Sequence, residues 1–512
     1  MDVLTIILWL VTFLIPATYL YFKKKYSYWK DRGVPYIEPQ IPYGSIHVST
    51  GIRDAIDKFY KEKTNFPFVG AYMLTAPSVV ATDLDFIKDI LIRDFNYFTD
   101  HGVPHNEKDD PLSANLFVLD GQKWRTLRTK LSPTFTSGRM KFMFPTVRDV
   151  ADRFNETLAE LVKNQKTLEV KDLLARFTTD VIGTCAFGIE CNSLKDPDAE
   201  FRWYGRKQLE NPPHGPLVTG LMGMFPKISN MLGLVRTHRD VTKFFMGIVR
   251  ETVDFREKNN IRRNDFMDLL IQLKNHATLE GEDHESIDSK IIKKLTLEEL
   301  AAQAFIFFIG GFETSSSTLT LTLYELAKNQ DIQEKCRTEI NNVLAKYKGE
   351  LSYEAMNEMH YVEQTILETL RKYPILPVVV RRCVKDYRVR GTNVIIEKGT
   401  AVHIPSFSIQ HDPEIYPDPE KFDPDRFTPE NVKLRHSVSF LSFGDGPRNC
   451  IGLRFGKMQS RIGLITLLKN YRFHLSSKSP NPLVFSKKSF ILAPQGGMHL
   501  DIEKLKNTFY SA

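Results

Sequence analysis

Residues 3–22 carry no charged side chain and are rich in Leu, Ile, Val and Phe. As one helix this stretch would span about 30 Å, the thickness of a bilayer core. Lys23, Lys24 and Lys25 follow at once, and only Asp2 precedes it as a charge. The positive-inside bias then places the chain beyond Lys23 in the cytoplasm. A cleaved signal peptide would have a basic start and a shorter apolar core. From 32 to 44 the pattern breaks at Gly33, Pro35, Pro39, Pro42 and Gly44, which predicts a semi-rigid hinge. Most of the remaining chain reads helical. Thr296 and Glu299 make a capping box that opens a helix reaching about residue 329. The centre of that helix, 304–312, is apolar almost all round and must be buried. Ile451, Phe455, Met458, Ile462, Ile465 and Leu468 mark another helix. Short strands are predicted at 68–74 and 78–81, within 378–404, and as a last pair around 495–497. The expected fold is mainly α with a small β portion. The expected organisation is a membrane anchor at 1–22, a basic stop and hinge at 23–50, and one large domain at 51–512 with no linker and no repeat.

Composition narrows the class only a little. The five cysteines are odd in number and contain no CxxC, so neither a disulfide framework nor a zinc site is indicated. That agrees with a reducing compartment, where the sequon at Asn155 stays unused. A net charge of +7 favours acidic partners or anionic membrane surfaces and is too small to argue for nucleic acid.

The chemistry concentrates at Cys450, in the run Phe443-Gly444-Asp445-Gly446-Pro447-Arg448-Asn449-Cys450-Ile451-Gly452. Two glycines and a proline make a tight loop that the cysteine closes. At the start of a helix the cysteine meets free N–H groups and the positive end of the dipole, which lower its pKa. A thiolate set against a planar partner is a haem-iron ligand. On the long helix, Gly310-Gly311-Phe312-Glu313-Thr314 puts two glycines in a helix interior, at a cost of roughly 2 kcal/mol against alanine. Close approach of another body would justify that cost. Gly310 and Thr314 share one face, so the bare position adjoins a hydroxyl and a carboxylate.

The form F-x-x-G-x-R-x-C-x-G resembles the haem-binding loop of the cytochrome P450 superfamily, and the acid-Thr run resembles its oxygen-activation motif. The resemblance implies a cytochrome P450 fold with haem b ligated by Cys450, Thr314 hydrogen-bonding activated oxygen and Glu313 relaying protons. Trp124 and Arg128, as W-x-x-x-R, would face a haem propionate, with Arg448 and Arg381 as further contacts. Phe443 and Gly310 would also line the haem. His101 stands where many relatives carry arginine and reads as a solvated histidine. Glu368 and Arg371, as E-x-x-R, would join Arg426 in a buried structural network. The substrate pocket would collect Phe117, Ile309, Leu376, Val379 and Ile491, consistent with a lipophilic small molecule held by shape. The run 131–138, with Asp110-Pro111-Leu112 and Asn115-Leu116-Phe117, leans toward insect family-six microsomal enzymes.

The resemblance implies an endoplasmic reticulum enzyme, single-pass, with its catalytic domain in the cytoplasm. It would take O2 as co-substrate and electrons from NADPH through NADPH–cytochrome P450 reductase, with cytochrome b5 a second candidate donor. No dinucleotide-binding glycine loop stands out in the chain itself. Lys123, Arg125, Lys130, Arg139 and Lys141, with Lys433, Arg435 and Lys457, are candidates for a donor-docking face. Two other readings compete. A haem enzyme that rearranges peroxides tends to lack the acid-Thr pair, and a haem sensor or carrier needs neither the relay nor the basic face. Plant toxins, insecticides, hormones and fatty acids would all suit the same motifs.

Overall fold

The computed structural model describes residues 2–46, 51–263, 265–276, 294–487 and 489–505. The last residues of the expected hinge, 47–50, lie outside them. Helices take 56 % of the chain and the sheets are small. The helices used below are α1 (Val3–Tyr26), α2 (Gly121–Leu131), α3 (Ser137–Asn164), α4 (Val170–Ile182), α5 (Glu200–Glu210), α6 (Leu297–Lys328), α7 (Gln330–Lys346), α8 (His360–Lys372) and α9 (Leu453–Asn470). The strands are β1 (Phe68–Met73), β2 (Ala76–Ala81), β3 (Thr167–Glu169), β4 (Val379–Arg382), β5 (Tyr387–Arg388), β6 (Ile395–Ile396), β7 (Ala401–Ile404), β8 (Tyr471–Leu475) and β9 (His499–Lys504). They fall into two compact units whose segments interleave along the chain, so no linker separates them.

The smaller unit comprises Met1–Gly102, Leu376–Pro417 and His436–Asn449. Its sheet runs β1-β2-β7-β4, with β2 and β7 parallel and the other pairs antiparallel. Alternation buries Val79, Val402 and Ile404 in one apolar cluster and Val80 in another. The Pro/Gly segment is irregular, as its composition predicts, but it is stitched to β1. Gly70 N donates to Pro35 O at 2.7 Å, Ile37 N to Gly70 O at 2.9 Å and Ser45 N to Tyr72 O at 2.8 Å. Trp29 is fully buried beside it and donates Nε1–H to Ala71 O. A Cβ at Gly70 would stand 2.6 Å from the Trp29 ring. Backbone pairing therefore ties the described part of this segment to β1.

α1 extends the predicted apolar stretch through the three lysines to Tyr26. Among the described residues no helix is long and apolar enough to cross a membrane. The side chains at 3, 4, 6–8, 10 and 11, which carry much of the predicted span, lie outside the described set.

The larger unit comprises Val103–Ile375, Asp418–Arg435 and Cys450–Ala512. Its axis is α6, which begins at the predicted capping box: Glu299 N donates to Thr296 Oγ1 and Thr296 N to Glu299 Oε2. Phe305, Phe308 and Phe312 are buried along it. The last predicted strand pair differs from the structure. β9 does follow Gly497, but its partners are β8 and β3, and among the described residues just before the glycines the isolated bridge Phe485–Pro494 forms. The partner of β9 was misplaced because β8 is contiguous with the end of α9, and nothing in the local pattern marks that pairing.

Candidate active site

In the larger unit, Cys450 lies ahead of α9, whose N-cap is Gly452. The N–H of Gly452 bonds the thiol, and Arg128 stands close enough to favour its charge. Both act in the expected direction. Desolvation outweighs them and raises the thiol pKa above its ordinary value. Burial likewise depresses the pKa of Arg128, against which the cysteine acts. Trp124, one turn earlier on α2, is 3 % exposed.

The two glycines of α6 answer to different neighbours. A Cβ at Gly311 would come within 2.3 Å of Ile182 on α4, so helix packing alone demands that glycine. A Cβ at Gly310 would meet nothing within 4 Å, so that face is open for another body. Thr314 shares it and donates its hydroxyl to Gly310 O at 2.5 Å. Glu313 approaches Lys171 of α4 at 3.9 Å. Its pKa is raised, first by burial and further by Glu210, while Lys171, Arg202 and Arg206 oppose the shift. A carboxyl in that environment holds a proton above its ordinary range. Ile309, Phe117 and Ile491 are half-buried residues of the same unit.

Arg371 and Glu368 are both 0 % exposed and form a two-point pair, with Nη2 at 2.6 Å and Nε at 3.0 Å from the carboxylate. Arg371 Nη1 also donates to Pro419 O at 2.6 Å. Asp423 N donates to Glu368 at 3.0 Å, and Arg426 Nε stands 3.6 Å from it. The three residues named from the sequence therefore do meet.

In the smaller unit, Gly446 has φ +69° and packs so tightly that a Cβ would stand 1.8 Å from Leu91 O. Asp445 accepts from Gly446 N and the turn closes with Asn449 N on Gly446 O. This fixes Arg448, 7 % exposed, with Nη1 3.2 Å from His101 Nδ1. His101 is therefore not the free solvated residue expected. Arg381, on β4, is 1 % exposed and lies near enough to Arg448 for their charges to repel. It forms no ion pair among the described residues; Nη1 bonds Val380 O and Nε has no partner. Burial, then Arg448, depresses its pKa to about 9. A buried cation of this kind fits an anionic group brought from outside the chain, as a haem propionate is. Phe443, Leu376 and Val379 are half-buried residues of this unit.

The basic residues proposed for donor docking all belong to the larger unit. Three of them are held by carboxylates: Lys123 by Glu107 at 2.7 Å, Lys141 by Glu354 at 2.5 Å and Lys457 by Glu363 at 2.9 Å. Sequence reasoning missed these partners, which lie between 16 and 213 positions away.

A thiol ahead of a helix and an open glycine face beside a threonine in the larger unit, and a buried unpaired guanidinium in the smaller, each suit a haem-thiolate protein. The family model described as Cytochrome P450 matches residues 39–500, and the chain belongs to that family. Probable cytochrome P450 6a21 of Drosophila melanogaster is 48 % identical over 99 % of this chain and 100 % of its own length. Cytochrome P450 6a8 of the same fly is 49 % identical over 96 % and 97 %. Cytochrome P450 6A1 of Musca domestica is 45 % identical over 95 % and 96 %. The enzyme is a haem-dependent monooxygenase that uses O2 as co-substrate, and its relatives are insect family-six proteins.

Proposed function

We propose that this enzyme oxidises lipophilic foreign compounds, such as plant toxins and insecticides, at the cytoplasmic face of the endoplasmic reticulum. Residues 1–22 would anchor it, 23–50 would join anchor to domain, and 51–512 would form the catalytic domain. NADPH–cytochrome P450 reductase would supply electrons. Bound haem supplies the oxidising chemistry when its iron is held by the Cys450 thiolate. Trp124, Arg128, Arg381 and Arg448 would meet its carboxylates, and Phe443 and Gly310 would give it room. Thr314 would orient a hydroxyl at the open face of α6, and Glu313 would hold a proton one residue away. Phe117, Ile309, Leu376, Val379 and Ile491 would surround the substrate and exclude water. Glu368, Arg371 and Arg426 would keep the surrounding chain rigid.

The observation that carries this reading is the buried, unpaired Arg381, a cation that the described protein residues leave uncompensated. The ferrous–CO difference spectrum of the membrane-expressed protein tests it. A strongly red-shifted Soret band is expected, lost in Cys450→Ala; reductase-dependent oxygen consumption then separates a monooxygenase from a peroxide isomerase or a carrier. A folded protein that bound no haem would end the reading.

A further inference from the structure

Below Thr314 the same stripe of α6 carries hydroxyls where an apolar core would be expected. Thr318 Oγ1 donates to Thr314 O at 2.8 Å, and Thr322 Oγ1 to Thr318 O at 2.8 Å. With Thr314 on Gly310 O, this makes a ladder at i, i+4, i+8 and i+12 along one slowly turning face. Thr318 is 5 % exposed and Thr322 0 %. Valine has nearly the same shape, so packing does not call for threonine. Threonine is also a poor helix former, and its hydroxyl is costly to bury without a partner.

The ladder continues into α8. Thr322 Oγ1 lies 3.1 Å from Thr369 Oγ1, and Thr369 Oγ1 lies 2.9 Å from Thr365 O. Thr365 in turn meets Cys336 Sγ of α7 at 3.2 Å. Thr365, Thr369 and Cys336 are all 0 % exposed, so water does not readily replace any of these bonds. Each threonine hydroxyl has one hydrogen. Thr322 and Thr369 together face three oxygen contacts, namely Thr318 O, each other and Thr365 O, with two protons to share among them. Two of the three bonds can form at once, so the Thr322–Thr369 crossing is made when one of these hydroxyls releases the carbonyl of its own helix. The crossing ties the lower half of α6 to a second helix.

A hydroxyl bonded to the carbonyl four residues back adds a second acceptor bond there and bends the helix at that turn. At Thr318 the carbonyl concerned is that of Thr314. We infer that Thr318 is a positioning residue for Thr314: its hydroxyl, backed by the Thr322–Thr369 crossing, sets the tilt of the 310–318 turn and so the direction of the Thr314 hydroxyl. This rests on the proposed role of the Thr314 hydroxyl at the open face of α6.

The test uses full-length protein in membranes with an NADPH-dependent reductase and 7-ethoxycoumarin as a lipophilic probe. The readout is the ratio of NADPH ending as peroxide to NADPH ending otherwise, on samples with equal CO-difference bands. Thr318→Val is expected to raise that ratio about threefold to tenfold, the equivalent of one neutral hydrogen bond. Thr318→Ser keeps the hydroxyl and is expected to match the parent. Thr314→Ala is run beside them. If Thr314→Ala raises the ratio while Thr318→Val matches the parent, or Ser rises as much as Val, the inference is overturned and the role of Thr314 stands. If Thr314→Ala has no effect, the role of Thr314 falls and the inference with it. Should Thr318→Val fail to accumulate, Thr369→Val removes the anchor on α8 and is expected to act in the same direction; no rise there overturns the inference too.

Discussion

Two buried guanidinium groups in this chain live under opposite rules. Arg371, in the larger unit, is met by Glu368 at two points and by a backbone carbonyl, and Arg426 and Asp423 N complete the carboxylate's shell. Arg381, in the smaller unit, is as buried, and its charged neighbour Arg448 repels it. The first cluster meets its buried guanidinium with a carboxylate from the same helix. The second leaves a buried cation without a carboxylate among the described residues. A compensated network suits a scaffold, whereas an uncompensated cation suits a partner of opposite charge, as the proposed haem carboxylates are.

The strongest way to break that contrast is Glu368→Ala. It leaves Arg371 buried and unpaired and is expected to cost about 4 kcal/mol. No CO-difference band should accumulate, and a normal band would show that the network is dispensable.

His403 offers a second case. It sits on β7 opposite Val380, fully buried, and neither ring nitrogen has a partner among the described residues. Burial depresses its pKa to about 4. The unfolded chain therefore takes up a proton near pH 6.5 that the folded chain refuses until about pH 4. Stability present above pH 6.5 is lost as pH falls toward 4, by on the order of 3 kcal/mol in all. His403→Val should flatten that acid limb in a series of thermal melts. An unchanged slope would mean the ring finds a partner in solution.

Arg381→Met should separate the apo and holo proteins. Without haem the variant is expected to gain about 2 kcal/mol, because a buried unpaired charge is gone. With haem it should release the cofactor faster than the parent. Apo melting and the rate of haem transfer to an acceptor protein read the two effects. A less stable apo variant would mean that Arg381 has an internal role.

The smallest effect belongs to Lys141→Ala. Its pair with Glu354 is exposed, at 63 % and 51 %, so no measurable change in melting is expected. A salt-dependent rise in the KM for reductase would place Lys141 on the docking face.

How much was legible in advance depended on range. The cysteine loop, the capping box at Thr296 and the pair Glu368–Arg371 are patterns of four to ten neighbouring residues, and each took the local form its spacing predicts. The reason for Gly311 was not legible, because the atom it makes room for is Ile182 on another helix. Nor was the pairing of the Pro/Gly segment with β1, whose partners lie some 30 positions away along the chain. His101 was misread for the same reason: Arg448 lies 347 positions away.

By itself, then, the sequence determined the haem-thiolate chemistry, the long buried helix and the mainly helical class. These rest on residue types at fixed short spacings, where the backbone's own periodicity carries the geometry. Only the tertiary structure decided which buried charges are compensated and where the hydroxyl ladder of α6 finds its anchor. Desolvation and charge pairing depend on every atom within a few ångströms, and the fold draws those atoms from distant parts of the chain.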